Sequence, residues 1–318
     1  MSERWRTPLK FSDFKKNMDR KAPVFANINL LGACNVDCYF CLGKDINAEF
    51  KKHNQMAVPF QEWNNFQEFL TRCRDANIQR IYVTGQNTDS LIYKFLPELV
   101  DYMQGDWGFN VGLRTNGYLA PRRMEVIEKC RRSVGYSIHS LIPSVNWAIM
   151  RRKDIPDWDK IIPATPNCRV SIVLNRHNEP EFDDLLRYIA KFPNVKYIQV
   201  RRICTDTRED YLIDDVRIYE EVFEKVKKEF PLVGYFYNAE VFSMYGKEVC
   251  FWRTVKTSID SFNYYTDGTI NDEYFVIEGY MRSSETFPKK DGAPVLPTAA
   301  ERLEGYWRKA LPAPTKTA

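Results

Sequence analysis

Short strand-like runs alternate with amphipathic segments from Ala22 to about Pro231, and this alternation limits the folds open to the chain more than any other feature. Such a pattern indicates βα units, which place their strands side by side in a parallel sheet. The six predicted strands are Val24 to Leu31, Ile78 to Thr84, Asn110 to Thr115, Ser133 to Ser140, Arg169 to Asn175 and Val195 to Ile203. The expected fold class is therefore α/β.

Between the strands, apolar residues recur at helical spacing. Phe60, Trp63, Leu70 and Cys73 share one face of a segment that begins at Pro59, a residue suited to a first turn. The predicted helices are Pro59 to Ala76, Ser90 to Gln104, Arg122 to Arg131, Glu179 to Phe192 and Ile218 to Phe230. In barrels built from βα units the chemistry lies at the carboxyl ends of the strands, so residues directly after each strand are site candidates.

Three cysteines follow the first predicted strand at once. Cys34, Cys38 and Cys41 form a C-x3-C-x2-C triplet in the segment CNVDCYFC. Three thiolates on one short loop can hold three irons of a 4Fe–4S cluster, and the missing fourth cysteine leaves one iron open to a ligand. A structural zinc site is the alternative, but such a site needs four ligands, and His53 is the one histidine nearby.

The triplet, with Phe40 before its third cysteine and a strand before its first, resembles the cluster loop of the radical S-adenosylmethionine superfamily. The resemblance implies that the open iron binds S-adenosylmethionine and that an electron cleaves it to methionine and a 5′-deoxyadenosyl radical, which abstracts hydrogen from a substrate. It also implies a partial TIM-type (β/α)6 barrel. A flavodoxin- or ferredoxin-type protein would then be the reductant.

The strand ends carry the cofactor contacts that the resemblance implies. Thr84 and Gly85 keep the start of the family's glycine-rich loop, although Gln86 and Asn87 replace the rest, and an ordinary βα turn is the alternative. Asn116 lies in a TNG sequence similar to one near the adenosyl ribose. The remaining implied contacts are Phe40, Ser137, from an element similar to the family's S-x-D, Asn175 and Arg201.

Three arginines lie near the ends of predicted strands three and six, and a planar guanidinium binds a carboxylate or phosphate with two parallel hydrogen bonds. One methionine carboxylate does not need all three. With Arg201 assigned to the cofactor, Arg114 and Arg202 predict an anionic substrate, unless they form ordinary ion pairs. His139 is either a substrate contact or a capped polar residue. Cys204 could return a hydrogen atom to a substrate radical, or it is a small buried apolar residue.

The residue composition changes after residue 231. Aromatic and β-branched runs there predict a β-rich appendage over residues 232–287. Its runs are Val233 to Tyr237, Ser261 to Tyr265 and Glu273 to Tyr280, with a turn at Thr266-Asp267-Gly268. The appendage is similar to a degenerate twitch- or SPASM-type cap whose cluster cysteines are absent, so we predict one cluster. Residues 1–21 are an N-terminal extension, and residues 288–318 a proline-rich tail.

Composition limits the class of protein and the cellular compartment that the sequence predicts. Of 318 residues, 44% are hydrophobic, enough for a sizeable core, yet no run approaches the roughly 18 apolar residues of a membrane helix. The start MSERWRTPLK lacks the apolar core of a signal peptide, which favours the cytoplasm and no membrane partner. The scattered cysteines form no disulfide framework. A net charge of +4 permits a nucleic-acid partner without establishing one.

These patterns predict a radical S-adenosylmethionine enzyme that isomerises, rearranges or functionalises a C–H bond of an anionic substrate. A nucleotide, or a base flipped out of DNA or RNA, is the first substrate class, a biosynthetic small molecule such as a small acid the second and a peptide the third. The non-enzymatic alternative is a binding protein with an iron–sulfur or zinc site.

Overall fold

The chain is described by a computed structural model over residues 25–41, 43, 51–203, 209–236, 239–252 and 261–271. The strands in these ranges are β1 Phe25–Leu31, β2 Arg80–Gln86, β3 Asn110–Thr115, β4 Val134–Ser137, β5 Cys168–Val173, β6 Val195–Arg201, β7 Leu232–Phe236, β8 Ala239–Met244, β9 Lys247–Trp252, β10 Ser261–Tyr265 and β11 Ile270–Asn271.

The helices in the same ranges are α1 Phe66–Asp75, α2 Leu96–Gly105, α3 Met124–Lys129, α4 Pro143–Met150, α5 Trp158–Ala164, α6 Phe182–Ala190 and α7 Glu209–Glu229. Short 3-10 helices precede several of them at Phe60–Glu62, Ser90–Ile92, Ala120–Arg122 and Glu179–Glu181. Within the described ranges, every helix is too short or too polar to cross a lipid bilayer.

The strands form one eleven-stranded sheet in the order β11-β10-β1-β2-β3-β4-β5-β6-β9-β8-β7. Strands β1 to β6 are parallel and lie in chain order, as the alternation predicts. The α/β class with a mostly parallel sheet is therefore confirmed, and β3 has the predicted bounds.

Strands from the predicted appendage belong to this same sheet. β10 pairs with β1 and β9 pairs with β6, both in parallel, so each extends the parallel arrangement at one side. The antiparallel strands β7 and β8 continue the sheet beyond β9. The expected turn is present, because the amide of Gly268 donates to the carbonyl of Tyr265 over 2.8 Å. The predicted strand at Glu273 to Tyr280 lies outside the described residues, as do both termini.

Two helices were missed between β4 and β5. α4 has eight residues and begins at Pro143, and the seven-residue α5 contains Pro163, so neither offers a long apolar period. α7 begins nine residues before the predicted start at Ile218. Its buried residues Leu212 and Val216 extend the helical spacing backward, which the prediction overlooked.

Alternate residues of the parallel strands face two different environments. On β2, Ile81 and Val83 are fully buried in the main apolar core together with helix residues. Tyr82 and Thr84 point the other way and line a cavity. The same division holds on β1 and β3 to β6, because side chains alternate between the faces of a strand. One face of the sheet thus holds the helices and the other holds the cavity.

An aromatic cluster holds β10 against α1. The ring of Tyr264 lies 5.3 Å from Phe66, 5.2 Å from Phe69 and 6.1 Å from Trp63 between centroids. On the opposite face, the Asn27 amide donates to the Asn263 side-chain oxygen over 2.8 Å. The late strand β10 is therefore fixed to β1 through both of its faces.

We expect Asn27→Ala and Asn263→Ala each to lower the free energy of unfolding by about 1 to 3 kcal/mol, because each change leaves a buried amide group without its partner. The double variant should lose about 1 kcal/mol less than the sum of the single losses, as contacting residues do. Urea unfolding of the four proteins measures this coupling. Strict additivity would contradict the hydrogen bond between Asn27 and Asn263.

Candidate functional site

A cavity of about 410 Å³ opens on the polar face of the parallel sheet. Its lining comes mainly from the loop after β1, the segments after β2, β3, β4 and β6, and alternate residues of β1 to β6. Met150, Phe236 and Trp252 complete it. The described site candidates that line it are Cys34, Cys38, Phe40, Cys41, Thr84, Gly85, Gln86, Asn87, Arg114, Asn116, Ser137, His139, Arg201 and Arg202.

The cysteine loop is held by the end of α4. The amides of Asp37 and Tyr39 donate to the carbonyls of Met150 and Ile149 over 2.9 and 3.0 Å. The last carbonyls of a helix lack partners within it, so this loop satisfies groups that would otherwise be unpaired. The helix that the sequence analysis missed therefore fixes the predicted metal loop.

The donor set of the loop fits an iron–sulfur cluster with an open position. Cys34, Cys38 and Cys41 are all partly exposed, free of disulfides and directed to the one cavity. Within the described ranges, however, no three Cys, His, Asp or Glu side chains are grouped as a metal site. Burial raises the pKa of the Cys34 thiol to about 12, so a metal would have to displace a proton there.

Asn116 joins the TNG turn to the cysteine loop. Its side-chain amide donates to the Asn35 side-chain oxygen over 2.7 Å and to the Cys34 sulfur over 3.7 Å. A hydrogen bond to sulfur is one of the means by which a protein tunes a thiolate ligand. Asn116, predicted as a ribose contact, thus lies beside the first cysteine.

Asp89 is a site residue that the sequence analysis did not select. Its buried carboxylate accepts from the Leu91 amide, the Thr115 hydroxyl and the Asn116 amide over 3.0, 2.9 and 2.6 Å. Burial raises the pKa of this carboxyl, and the three donors oppose the rise without cancelling it. Asp89 therefore ties the segment after β2 to the turn after β3. Its place as the N-cap of the Ser90–Ile92 helix was the available sequence signal.

The segment after β2 packs tightly against the cysteine loop. The Thr88 hydroxyl donates to the Ala33 carbonyl over 2.8 Å. A Cβ at Gly43 would lie 2.6 Å from the Asn87 Cβ, so only glycine permits this approach. The four predicted residues Thr84 to Asn87 consequently form one wall of the cavity with the cysteine loop.

His139 lies at the end of β4, where its ring meets Phe40 edge to face with centroids 5.3 Å apart. The Val173 amide donates to its Nδ1 over 3.1 Å, so this nitrogen carries no proton. Burial, followed by the charge of Arg201, lowers the pKa of His139 from its usual 6.5 to about 3. His139 is thus a neutral, backbone-anchored side chain at the cavity wall.

Positive charge dominates the cavity wall. Five arginines line it, namely Arg80, Arg114, Arg169, Arg201 and Arg202, whereas its described acidic residues are Asp37 and Asp89. Arg202 pairs with Glu220 over 3.5 Å, so that charge is already partly balanced.

Two predicted site residues do not join the cavity in the described structure. Asn175 is fully buried in the turn after β5, where it donates to the Val173 carbonyl over 2.8 Å and accepts from the His177 amide over 2.9 Å. The side chain that was predicted to contact the cofactor therefore shapes a turn. Cys204 lies outside the described residues.

Several lining residues were missed because they lie further from the carboxyl ends of their strands than the positions that the prediction favoured. They are Asn27, Tyr82, Arg169, Ser171, Tyr197 and Gln199. The available signal was that these residues recur at every second position of a strand. A parallel strand covered by apolar layers on both faces is instead a continuous apolar run, so the alternation indicates a face without such a layer.

Comparison with solved structures shows a shared fold. SuiB of Streptococcus suis bound to S-adenosylmethionine has 12% sequence identity and a TM-score of 0.55, over 87% of this chain and 69% of SuiB. A second SuiB structure has 13% identity and the same TM-score, 0.55, over 88% and 67%. The chain thus shares the fold of the two SuiB structures. No protein-family model matches the sequence, and no curated protein matches it.

Acid should destabilise the protein partly through His139. Its pKa is lower in the folded chain than in the unfolded chain, so unfolding takes up a proton below pH 6.5, and stability falls as the pH drops toward 3. Between about pH 7.5 and about pH 5, His139→Gln should lose about 2 kcal/mol less unfolding free energy than the parent. Urea titrations at both pH values measure the difference. Equal losses in parent and variant would contradict the neutral, buried state of His139.

Proposed function

We propose that the chain is a radical S-adenosylmethionine enzyme, carried by one observation: the C-x3-C-x2-C loop opens on a cavity of about 410 Å³ in a fold shared with SuiB. SuiB itself is seen bound to S-adenosylmethionine. We further propose that β1 to β6 with their helices make up a partial (β/α)6 barrel.

In this proposal Cys34, Cys38 and Cys41 hold one 4Fe–4S cluster. When bound, the cluster and S-adenosylmethionine would supply the electron and the 5′-deoxyadenosyl radical that abstracts hydrogen from the substrate. The loop amides bound by α4 support this assignment, because they fix the backbone that carries the thiols.

The proposed cofactor contacts surround that loop. Asn116 bonds Asn35 of the loop, and Phe40, which belongs to the loop, contacts His139. Thr84 to Asn87 form the facing wall. Ser137 and Arg201 line the cavity on β4 and β6, where the guanidinium suits a methionine carboxylate. Their common role is to orient the cofactor and to keep water from a reactive radical. For Asn175 we propose only an indirect part, through the turn that it supports.

The proposed substrate is an anion, and a nucleotide or nucleic-acid base is the class we favour. Arg114, Arg202 and His139 are its proposed contacts, and the excess of arginine in the cavity wall supports a negative charge. The neutral state of His139 suits it to hydrogen bonding and not to ion pairing. Rearrangement, isomerisation or C–H functionalisation is the proposed outcome, with a flavodoxin- or ferredoxin-type reductant in the cytoplasm.

We expect reconstituted, dithionite-reduced protein to form 5′-deoxyadenosine from S-adenosylmethionine under anaerobic conditions. A variant with Cys34, Cys38 and Cys41 changed to Ala should lose both iron and product, because no thiolates remain to bind the cluster. Chromatography of the reaction and iron analysis are the measurements.

Cys130→Ala is the matched control, since Cys130 is buried beside α3 and bonds the Val126 carbonyl away from the cavity. This control should keep iron and product. The enzyme proposal would be contradicted if the parent protein held zinc tightly, or if the spectrum of its cluster did not change when S-adenosylmethionine was added. The chain would then be a metal-stabilised binding protein.

If the substrate is a base within DNA or RNA, binding should weaken steeply as salt rises, because each neutralised phosphate releases counterions. Binding isotherms of a short single-stranded oligonucleotide at several salt concentrations measure the slope. Salt-independent binding, or none, would favour a free nucleotide or another small molecule.

A further inference from the structure

The polar face of the sheet contains two arginines at the same level. Arg114 of β3 is paired in register with Gly135 of β4, and Gly135 with Arg169 of β5. The two arginines therefore flank one glycine, with Cα atoms about 10 Å apart across two strand spacings. Both side chains line the cavity. We call the space bounded by Tyr82, Arg114, Gly135, Arg169 and Gln199 the arginine chamber.

The two guanidinium groups converge on a single aromatic ring. The central guanidinium carbon of Arg114 lies 5.1 Å from the Tyr82 ring centroid, and that of Arg169 lies 5.7 Å from it. Two cations thus share one phenol in the interior of the molecule. Like charges in a buried site oppose each other, and an anion near both would offset that repulsion.

Glycines make room for this arrangement. A Cβ at Gly135 would lie 2.7 Å from Arg169 Nε, and a Cβ at Gly112 would lie 2.6 Å from the Tyr82 ring. Glycine weakens a strand interior, and its use at Gly135 is explained by the close approach of Arg169. At Gly112 the Ser133 carbonyl oxygen, also 2.6 Å from such a Cβ, excludes a side chain together with Tyr82.

Arg169 has no acid beside it in the described structure. Its side chain is 8% exposed, and it donates to the neutral Gln199 oxygen over 3.3 Å. Its Nε has no hydrogen-bond partner among the described residues. The described acids of the cavity lining, Asp37 and Asp89, lie in the cysteine loop and after β2, beyond the strand ends. Buried charges are normally paired, which makes Arg169 an exception that a ligand would resolve.

The field in the chamber agrees with this geometry. Burial raises the pKa of the Tyr82 phenol, but Arg132, Arg169, a hydrogen bond with Ser133 and Arg114 together outweigh burial and lower it. Tyr197, which also lines the cavity and is also acted on by Arg169 and Arg114, has a raised phenol pKa because burial outweighs these charges there. The arginines thus favour a negative charge at this depth, and burial opposes it.

We propose that the arginine chamber binds an oxoanion, a carboxylate or phosphate at one end of the substrate, with Arg169 and Arg114 as its contacts. The proposal rests on the proposed function in one respect, because it takes the reacting carbon to lie near the cysteine loop. Gly135 precedes His139, the residue that touches Phe40, by four residues, which span at most about 14 Å of chain. The substrate is then an elongated molecule anchored by its anionic end.

The test is anion binding by the full chain, with inorganic phosphate and sodium acetate as probes and chloride at equal ionic strength as reference. We expect one or both probes to raise the melting temperature of the parent and to bind in calorimetry. Arg169→Gln should weaken that binding by about tenfold or more, the usual loss when a hydrogen bond to a charged group is removed. Without anion it should melt no lower than the parent, because it removes a buried like charge.

Two further variants complete the test. Gly135→Ala removes no charge but displaces the Arg169 guanidinium, so it should also weaken the binding, and it carries the test if Arg169→Gln does not fold. Arg217→Gln is the matched control, since that arginine is 59% exposed on α7 and should leave binding unchanged. Phosphate preference would identify a phosphate ester, and acetate preference a carboxylic acid. A parent that binds neither probe, or an Arg169→Gln variant of parental affinity, overturns the proposal.

The result is separable from the radical chemistry, because anion binding needs neither cluster nor S-adenosylmethionine. Arg169-dependent anion binding in a protein that forms no 5′-deoxyadenosine would support the chamber and reject the proposed function. Formation of 5′-deoxyadenosine by a protein whose chamber binds no anion would do the reverse.

Discussion

Successive side chains of a parallel strand point to opposite faces of the sheet, and the rest of this molecule depends on that constraint. Each strand from β1 to β6 turns one set of side chains into the helix-covered core and the other into the cavity. A slip of one residue would exchange the two sets, placing Tyr82 in the apolar core and Ile81 in the cavity. The chemistry of the cavity is thus inseparable from the register of the sheet, and the apolar layer that stabilises the fold also aims the polar groups.

The cysteine loop is held in place by contacts from the segments around it. Backbone carbonyls of α4 hold its middle, Asn116 reaches its first cysteine, and Thr88 and Gly43 press it against the segment after β2. Asp89 in turn holds Asn116 by the backbone. Most of these contacts involve main-chain groups, so the position of the loop depends on the fold around it more than on any side chain within it. Such support is what a ligand loop needs if its geometry is to be set in advance.

Local pattern was sufficient to predict the six parallel strands and to choose the cysteine triplet, and most of the described residues that it selected as site candidates line the cavity. It was insufficient wherever the decisive contact is distant in sequence. β10 is joined to β1 by the Asn27–Asn263 pair, across 236 residues, and no local period reports such a pairing. The short helices α4 and α5 escaped because proline interrupts or opens them.

The emphasis on strand ends also hid part of the site. Arg169 and Tyr82 lie inside their strands, yet both line the cavity. Asn175 was chosen because it is the last residue of a predicted strand, and it bonds its own turn instead. A strand-end position therefore identifies proximity to the site, whereas the direction of a side chain depends on the register of the whole strand.

The attachment of the cysteine loop to α4 links its order to one short helix. A helix of eight residues is marginal on its own in water and owes its stability to packing. Ile149 and Met150, whose carbonyls hold the loop, also bury their side chains in a small cluster with Tyr39 and Leu212. Opening of that cluster would release the helix end and the loop amides together, so the two segments form one unit of local unfolding. The end of the cavity that holds the cysteine loop is thereby the part of the molecule whose backbone amides would exchange with solvent as a group, ahead of the sheet behind it.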